Sequence, residues 1–430
     1  MPDMLDQPLS AHLPLPARQS AAGTEGAVGL LRSTKTIRAR AQALLARARR
    51  GESSCFTVND GAMLNAATLV AELTQARYPD LKIPYHSRWR HFEAGGVNRA
   101  AMLRNAMDAE TDAQRARAQI DLALVSVLLD AGAGTDWEYQ EPGPDTLRAH
   151  TYSRSEGLGV ASFHAFMSGL FSSQASAPLR ADAAGLQRIT AERLAQAFQV
   201  GPMNPLVGLE GRAALLRRLG AALESQPDVF GGSGRPGHLF DWMAAESSSV
   251  NAETLLTVLL TTLAPIWPAQ NSLNGAALGD CWRHPAAHGE GVTDGWMPFH
   301  KLSQWLTYSL LEPFAWAGLP IEGLDGLTGL PEYRNGGLFI DSGVLRLRNA
   351  GLAEQLHQPG DELIVEWRAL TVALLDELAP LVREQLGLTL REMPLACVLE
   401  GGTWAAGRVL AQQLRQGTPP LNIDSDGTVF

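Results

Sequence analysis

Lysine is nearly absent from this chain. There are three (Lys35, Lys82 and Lys301) among 430 residues, against 32 arginines. Positive charge is therefore carried almost wholly by guanidinium groups, and an ammonium at any one position is an exception that asks for a reason. Cysteine is as scarce. Cys55, Cys281 and Cys397 are too few and too far apart for a disulfide framework, which points to a reducing cytoplasm. No stretch reaches 18 uncharged apolar residues, so no membrane-spanning helix is expected. Residues 1–26 are rich in Pro, Ala and Ser and lack a basic stretch leading into an apolar run; they read as a flexible tail, not a secretory signal. An excess of positive charge is missing too. A formal net charge of −10 excludes attraction of the whole molecule to a phosphate backbone, so nucleic acid is not an expected partner.

The familiar chemical motifs are also missing. No Lys follows a G-x-x-x-x-G, and neither H-E-x-x-H nor G-x-S-x-G occurs. The run G-S-G-R-P-G from Gly232 has the letters of a dinucleotide loop, but no strand signal precedes it and Pro236 interrupts it, so it reads as a plain loop. Cys281, His284 and His288 are zinc-ligand types at usable spacing. That single run reaches only the three ligands of a catalytic site, and no second Cys/His cluster completes a structural one. The reading is therefore that no metal or other cofactor is needed.

What is present is a globular composition, 45% hydrophobic and 19% charged, whose 42 Gly and 25 Pro predict many short helices joined by tight turns. Helical periodicity runs through residues 36–50, 62–77, 99–129, 162–171, 190–198, 208–223, 253–263 (with Asn251 as N-cap), 302–311 and 403–415. The clearest pattern places Leu363, Trp367, Leu370, Leu374, Leu378 and Leu381 at steps of three and four, opened by Asp361 and closed by Gly387, with Pro380 expected to kink it. Strand signals are few; residues 337–347 predict a hairpin through Asp341, Ser342 and Gly343. The sequence thus predicts a mostly α fold: one large helical domain over 27–430, with room for two lobes, and a small β element. The apolar ending at Leu421, Ile423, Val429 and Phe430 predicts a C-terminal segment packed onto that domain.

Four runs combine polar and aromatic residues in ways a core does not need. The first is H-S-R-W-R-H-F-E-A-G-G from His86. The second joins G-D-C-W from Gly279 to P-F-H-K-L-S-Q-W from Pro298. The third is P-E-Y-R-N-G-G from Pro331, and the fourth L-E-G-G-T-W from Leu399. Arg and His can clamp an anion while an aromatic ring stacks on it. Lys301 beside His300 at a helix start is poorly placed for the helix dipole, and an anion, either Asp280 or a ligand, would relieve it. Each carboxylate here has a plainer alternative as a helix cap or structural ion pair.

These runs, together with S-R-S-E-G-L-G-V-A-S-F from Ser153 and the longer P-F-H-K-L-S-Q-W-L-T-Y-S-L-L-E-P, resemble the family known as uracil catabolism protein four, from about Thr34 to the C-terminus. The resemblance implies a step in a uracil-degrading route that passes through a ribosylurea-type intermediate. The order of elements is also similar to the queuosine-nucleoside N-glycosidase (queuine salvage) family, itself related to helical DNA glycosylases. The pieces are the 130–139 turn, Asn204-Pro-Leu-Val, Gly279-Asp-Cys-Trp, the helix start after Phe299, Gly360-Asp-Glu with Trp367, and Leu399-Glu with Trp404. That likeness implies hydrolysis of an N-glycosidic bond, releasing urea and ribose or its 5-phosphate. Where that family carries an acidic residue, this chain has Lys301, which suits a phosphorylated substrate.

Such a reaction needs a carboxylate for the oxocarbenium-like sugar or for water, a proton for the leaving group, and donors for phosphate. The candidates are Asp280, Glu400 and Asp136 as carboxylates and His300 as proton donor. Lys301, Arg334, Arg154 and Arg88 are the phosphate donors, and Trp137, Tyr139, Trp282 and Trp404 the aromatic walls. Two other readings stay open: a metal-assisted amidohydrolase using Cys281, His284 and His288, and a non-catalytic partner associated with other uracil-pathway enzymes.

Overall fold

The computed structural model describes residues 23–130, 132–141, 150–267 and 271–424. Among them are 17 α-helices, and no sheet has more than two strands, so the fold is mostly α. One apolar core runs from Ile37 to Leu421 and takes in nearly every helix. A smaller cluster packs helix Thr24–Leu31, through Ala27, Val28 and Leu31, against Leu278, Cys281 and Trp296. That helix begins inside the segment read as a tail, so the tail reading is shortened at its C-terminal end; residues 1–22 lie outside the described residues. No helix among the described residues is long and apolar enough to cross a membrane.

The centre is helix Glu362–Leu386, whose apolar stripe is buried almost throughout. Gly387 ends it in the left-handed conformation, where a residue without Cβ meets least resistance. Pro380 sits inside this helix without ending it. Asp361 occupies the N-cap position, but its carboxylate accepts the Gln358 amide instead of a helix N–H. Around this helix pack Thr34–Arg49, Met63–Arg77 and Tyr333–Asp341, while Lys301–Trp316 packs on Asp112–Leu128.

Two segments depart from the sequence reading. Residues 99–129 form two helices, Arg99–Ala106 and Asp112–Leu128; Thr111 and Gln114 make a reciprocal capping box that starts the second. Residues 337–347 are not a hairpin. Glu332 caps helix Tyr333–Asp341 by accepting the Arg334 and Asn335 amides, at 2.7 and 2.6 Å, and Leu345–Leu347 pairs antiparallel with the distant Phe56–Val58. The local alternation of Leu338, Ile340 and Val344 lost to this cap and to the Trp367 ring, which lies so close that a Cβ on Gly336 would come within 2.7 Å of it. At the C-terminus Leu421 is fully buried and Asn422–Ile423 pairs parallel with Leu356–His357, so the expected packing holds as far as residue 424; Val429 and Phe430 lie outside the described residues.

Candidate active site

The sequence runs that stood out converge through the ends of five elements. Asp280 precedes strand Cys281–Arg283, and Lys301 begins helix Lys301–Trp316. Asp130 follows helix Asp112–Leu128, Glu332 caps Tyr333–Asp341, and Arg88 and His91 lie on the 3-10 segment Arg88–Gly96.

Asp280 is the anchor. Its carboxylate accepts both arms of the buried Arg368 guanidinium at 2.7 and 2.8 Å, the Trp282 indole N–H at 2.7 Å and the Lys301 backbone N–H at 2.9 Å. Burial alone would raise its pKa, but Arg368 and these N–H groups hold it below the usual range. Four donors fill the acceptor sites of an ionised carboxylate. Asp280 thus caps the helix that Lys301 opens and answers the unfavourable dipole there.

The Lys301 ammonium is left over. Its side chain is half-buried, and among the described residues its Nζ makes no hydrogen bond or ion pair. Burial lowers its pKa; Glu332 and Asp130 are the first charges that raise it. Glu332, a buried carboxyl, is pushed up by burial against the pull of its two backbone N–H donors and Lys301.

Arg88 is fully buried. Its Nε donates to Ser126 Oγ at 2.6 Å, Nη1 lies 3.2 Å from Asp130 Oδ1, and Nη2 has no hydrogen-bond partner among the described residues. Among the described residues, Asp130 Oδ1, His91 Nδ1 and the indole Nε1 of Trp305 are likewise buried without hydrogen-bond partners. These atoms are neighbours: the Arg88 guanidinium lies 5.6 Å from the Trp305 ring, and His91 and Trp305 meet edge to face at 5.7 Å. Buried polar atoms are nearly always satisfied, so this concentration is unusual. Burial and Arg88 push His91 down to about 3, so its ring is neutral. Behind it, a Cβ on Gly159 would sit 2.9 Å from the His91 Cβ and 3.5 Å from the Arg88 Cζ, which explains the glycine in the S-E-G-L-G-V run.

Glu400 stands on a π-helical segment, Leu399–Thr403, at the edge of this cluster. It accepts from Arg77 at 2.8 Å and Tyr78 at 2.9 Å, and its other oxygen lies 2.9 Å from His86 Nδ1. Burial opposes its charge, yet His86, Arg77 and Tyr78 bring its pKa to about 2. Arg334 is buried with its guanidinium 4.7 Å from the Tyr333 ring, Nη1 bonded to Gly417 O and Nε without a hydrogen-bond partner among the described residues. Arg154 is exposed, holds a left-handed φ of 52°, and contributes charge at Tyr333. Trp282 stands beside Asp280.

Other candidates are placed elsewhere. His300 has a φ of 50° and turns its Nε2 to Leu31 O at 2.9 Å; burial lowers its pKa, so it acts as a neutral tether for the N-terminal helix. Asp136 is exposed and accepts the Thr135 hydroxyl. Trp137 is a core residue donating to Phe198 O, Tyr139 packs on His164, and Trp404 is half-buried beneath Arg408. Cys281, His284 and His288 do not converge: Cys281 belongs to the N-terminal apolar cluster, while His288 is exposed beside Asp294. The sequence reading passed over Asp130, His91, Trp305, Glu332 and Arg368. The first four lay inside the runs it quoted, and only pairing across 88 residues marks Arg368.

A family model described as a protein of unknown function (DUF1688) matches residues 30–430. Protein urg3 of Schizosaccharomyces pombe is 42% identical over 415 residues, covering 94% of this chain and 99% of that protein. Uracil catabolism protein 4 of Lachancea kluyveri is 38% identical over 380 residues, covering 81% of this chain and 85% of that protein. The family match takes in every residue of the cluster from His86 to Glu400, and the chain belongs to the DUF1688 family.

Proposed function

We propose that this protein acts in uracil degradation as a hydrolase of an N-ribosyl bond, cleaving a ribosylurea 5-phosphate to urea and ribose 5-phosphate. The name of the Lachancea kluyveri relative supports the pathway. The observation that carries the reaction is the cluster of buried polar atoms that lack hydrogen-bond partners among the described residues, Arg88 Nη2, His91 Nδ1, Trp305 Nε1 and the Asp130 Oδ1 that faces Arg88, next to the uncommitted ammonium of Lys301. It offers a carboxylate, cations and neutral donors together, the set a phosphorylated sugar with a polar leaving group requires.

In this reading water adds to C1′ as the C1′–N bond breaks, and the proton it loses balances the one gained by the urea nitrogen. Asp130 supports the sugar cation or orients the water. Glu332 is the proton carrier, because burial holds its carboxyl toward the protonated form. Lys301 and Arg88 take the phosphate. Asp280 positions Lys301 and is fully engaged by its four donors, which leaves the chemistry to Asp130.

Incubating the purified protein with ribosylurea 5-phosphate and measuring released urea tests this directly. Multiple turnovers are expected, and Asp130→Asn should lower kcat at least ~10²-fold, the scale of a lost acid–base group. No urea from the isolated protein would leave the partner role in its place.

A further inference from the structure

A second cluster lies apart from the one described. Cys55 sits just ahead of strand Phe56–Val58, and Glu362 and Glu366 occupy the first two turns of helix Glu362–Leu386. One ligand-type atom from each (the Cys55 thiol and a carboxylate oxygen of Glu362 and of Glu366) lies within 4.8 Å of the other two. The carboxylates are four residues apart and so share a helix face.

Two independent observations separate this group from an ordinary acidic surface. Glu366 is fully buried, and among the described residues its Oε2 has no hydrogen-bond partner within normal geometry, although the Ser53 hydroxyl and the Cys55 thiol act on its carboxylate against the effect of burial. Among the described residues its one ion pair is a long one, with Arg47 Nη1 at 3.5 Å. His284, also fully buried, has an Nε2 without a hydrogen-bond partner among the described residues, and the charges acting on it are Glu362, a member of the cluster, and Arg47, which pairs with Glu366. A Cβ on Gly360 would fall 2.9 Å from the Trp282 ring, which brings the turn before Glu362 against the strand that leads to His284.

We propose that Cys55, Glu362 and Glu366 form a binding site for a divalent, borderline-soft cation of the zinc class. Oxygen and sulfur ligands about 2.0–2.3 Å from such an ion stand roughly 3.5 Å apart in a tetrahedron, so the three side chains need only small rotamer adjustments. Three anionic ligands, a divalent ion and the neighbouring Arg47 sum to no net charge, which suits a half-buried position. Glu362 is exposed and gives the ion its path of entry. The His284 Nδ1 accepts the Ala286 amide, so its Nε2 carries the proton and is a donor, not a fourth ligand. Without the ion, burial, with Glu366 and Glu362, pushes the Cys55 thiol up to about 11, whereas coordination deprotonates it. The site ties the Cys55 segment to the helix that carries Arg368. It stands independently of the proposed reaction.

The test uses the full chain dialysed against zinc and then freed of excess. Close to one zinc per chain is expected by elemental analysis, with a higher Tm than the chelator-treated protein. Cobalt in place of zinc should give a thiolate-to-metal absorption band. Cys55→Ser should abolish the band, and His288→Ala should leave it intact. Because Glu362 is exposed, Glu362→Gln keeps the fold and should weaken zinc binding by about tenfold or more. Substoichiometric zinc, or a band that survives Cys55→Ser and vanishes in His288→Ala, overturns the proposal.

Discussion

At the scale of single residues, the site divides into groups that are spent and groups that are free. Asp280 is spent, and its value lies in stability. Asp280→Asn leaves the Arg368 guanidinium buried beside a neutral amide, and losing one partner of such a pair costs about 3 kcal/mol. Urea denaturation should show that loss, and an unchanged midpoint would mean that Arg368 is held well enough by its other contacts. Lys301 is free, so its substitution should do the reverse. Lys301→Ala is expected to keep the wild-type unfolding midpoint, since no hydrogen bond or ion pair of its ammonium is lost. It should lower turnover of the phosphorylated ribosylurea far more than any turnover of the unphosphorylated compound. Equal loss on both would make Lys301 part of the bond-breaking step, and loss on neither would remove it from the site. The contrast follows from one carboxylate: Asp280 accepts the Lys301 backbone N–H and leaves the Lys301 side chain without a partner.

At the scale of elements, the close approach of helix Trp404–Arg415 to Tyr333–Asp341 decides where Arg334 sits. Gly407 allows it, because a Cβ there would collide with the Arg334 carbonyl and lie 2.7 Å from its carbon. Gly407→Ala gains up to ~1 kcal/mol of helix propensity, yet overpacking against rigid backbone costs about 1–3 kcal/mol. The net expected is destabilisation, read as a lower urea midpoint with an unchanged slope; a midpoint that rises would mean the helices separate freely. Contacts of this kind are what the sequence hides. The 3.6-residue stripe of helix Glu362–Leu386 and the Asn251 cap were legible because both are local. The hairpin expected at 337–347 was not, because its alternation lost to Glu332 just before it and to Trp367, which lies beyond its end on another helix. The site was half legible for the same reason. Runs that mix Arg, His and Trp marked Arg88, Lys301 and Asp280, whereas the roles of Asp130, Glu332 and Arg368 depend on pairings between distant segments. His300 and its neighbour in sequence, Lys301, face different surroundings: φ at His300 is positive and its Nε2 turns to Leu31 O.

At the scale of the whole molecule, two buried carboxyls give stability opposite dependences on pH. Glu400, held at about 2 in the fold by His86, Arg77 and Tyr78 despite burial, contributes stability above the unfolded pKa of about 4.3 and loses it as pH falls toward 2. Glu312 is the opposite case. Burial raises it to about 7, with Glu93 and Glu400 adding to the rise, although Arg90 donates to it at 2.9 Å and Ser87 also bonds to it. A carboxyl whose folded pKa lies above its unfolded value binds more protons folded than unfolded between the two. Its contribution is complete below about 4.3 and is lost as pH rises through about 7. Above that pH the fold carries a buried negative charge next to Glu93 and Glu400. Glu312→Gln removes this charge while keeping both contacts, since the amide oxygen still accepts from Arg90 and the amide N–H₂ can donate to Ser87. Relative to wild type, the variant should therefore be no more stable at pH 4.5 and more stable at pH 8, by on the order of 2 kcal/mol. Urea unfolding of both proteins at the two pH values gives the difference directly. A variant equally or less stable at pH 8 would mean that Glu312 is ionised throughout and that Arg90, not burial, governs it.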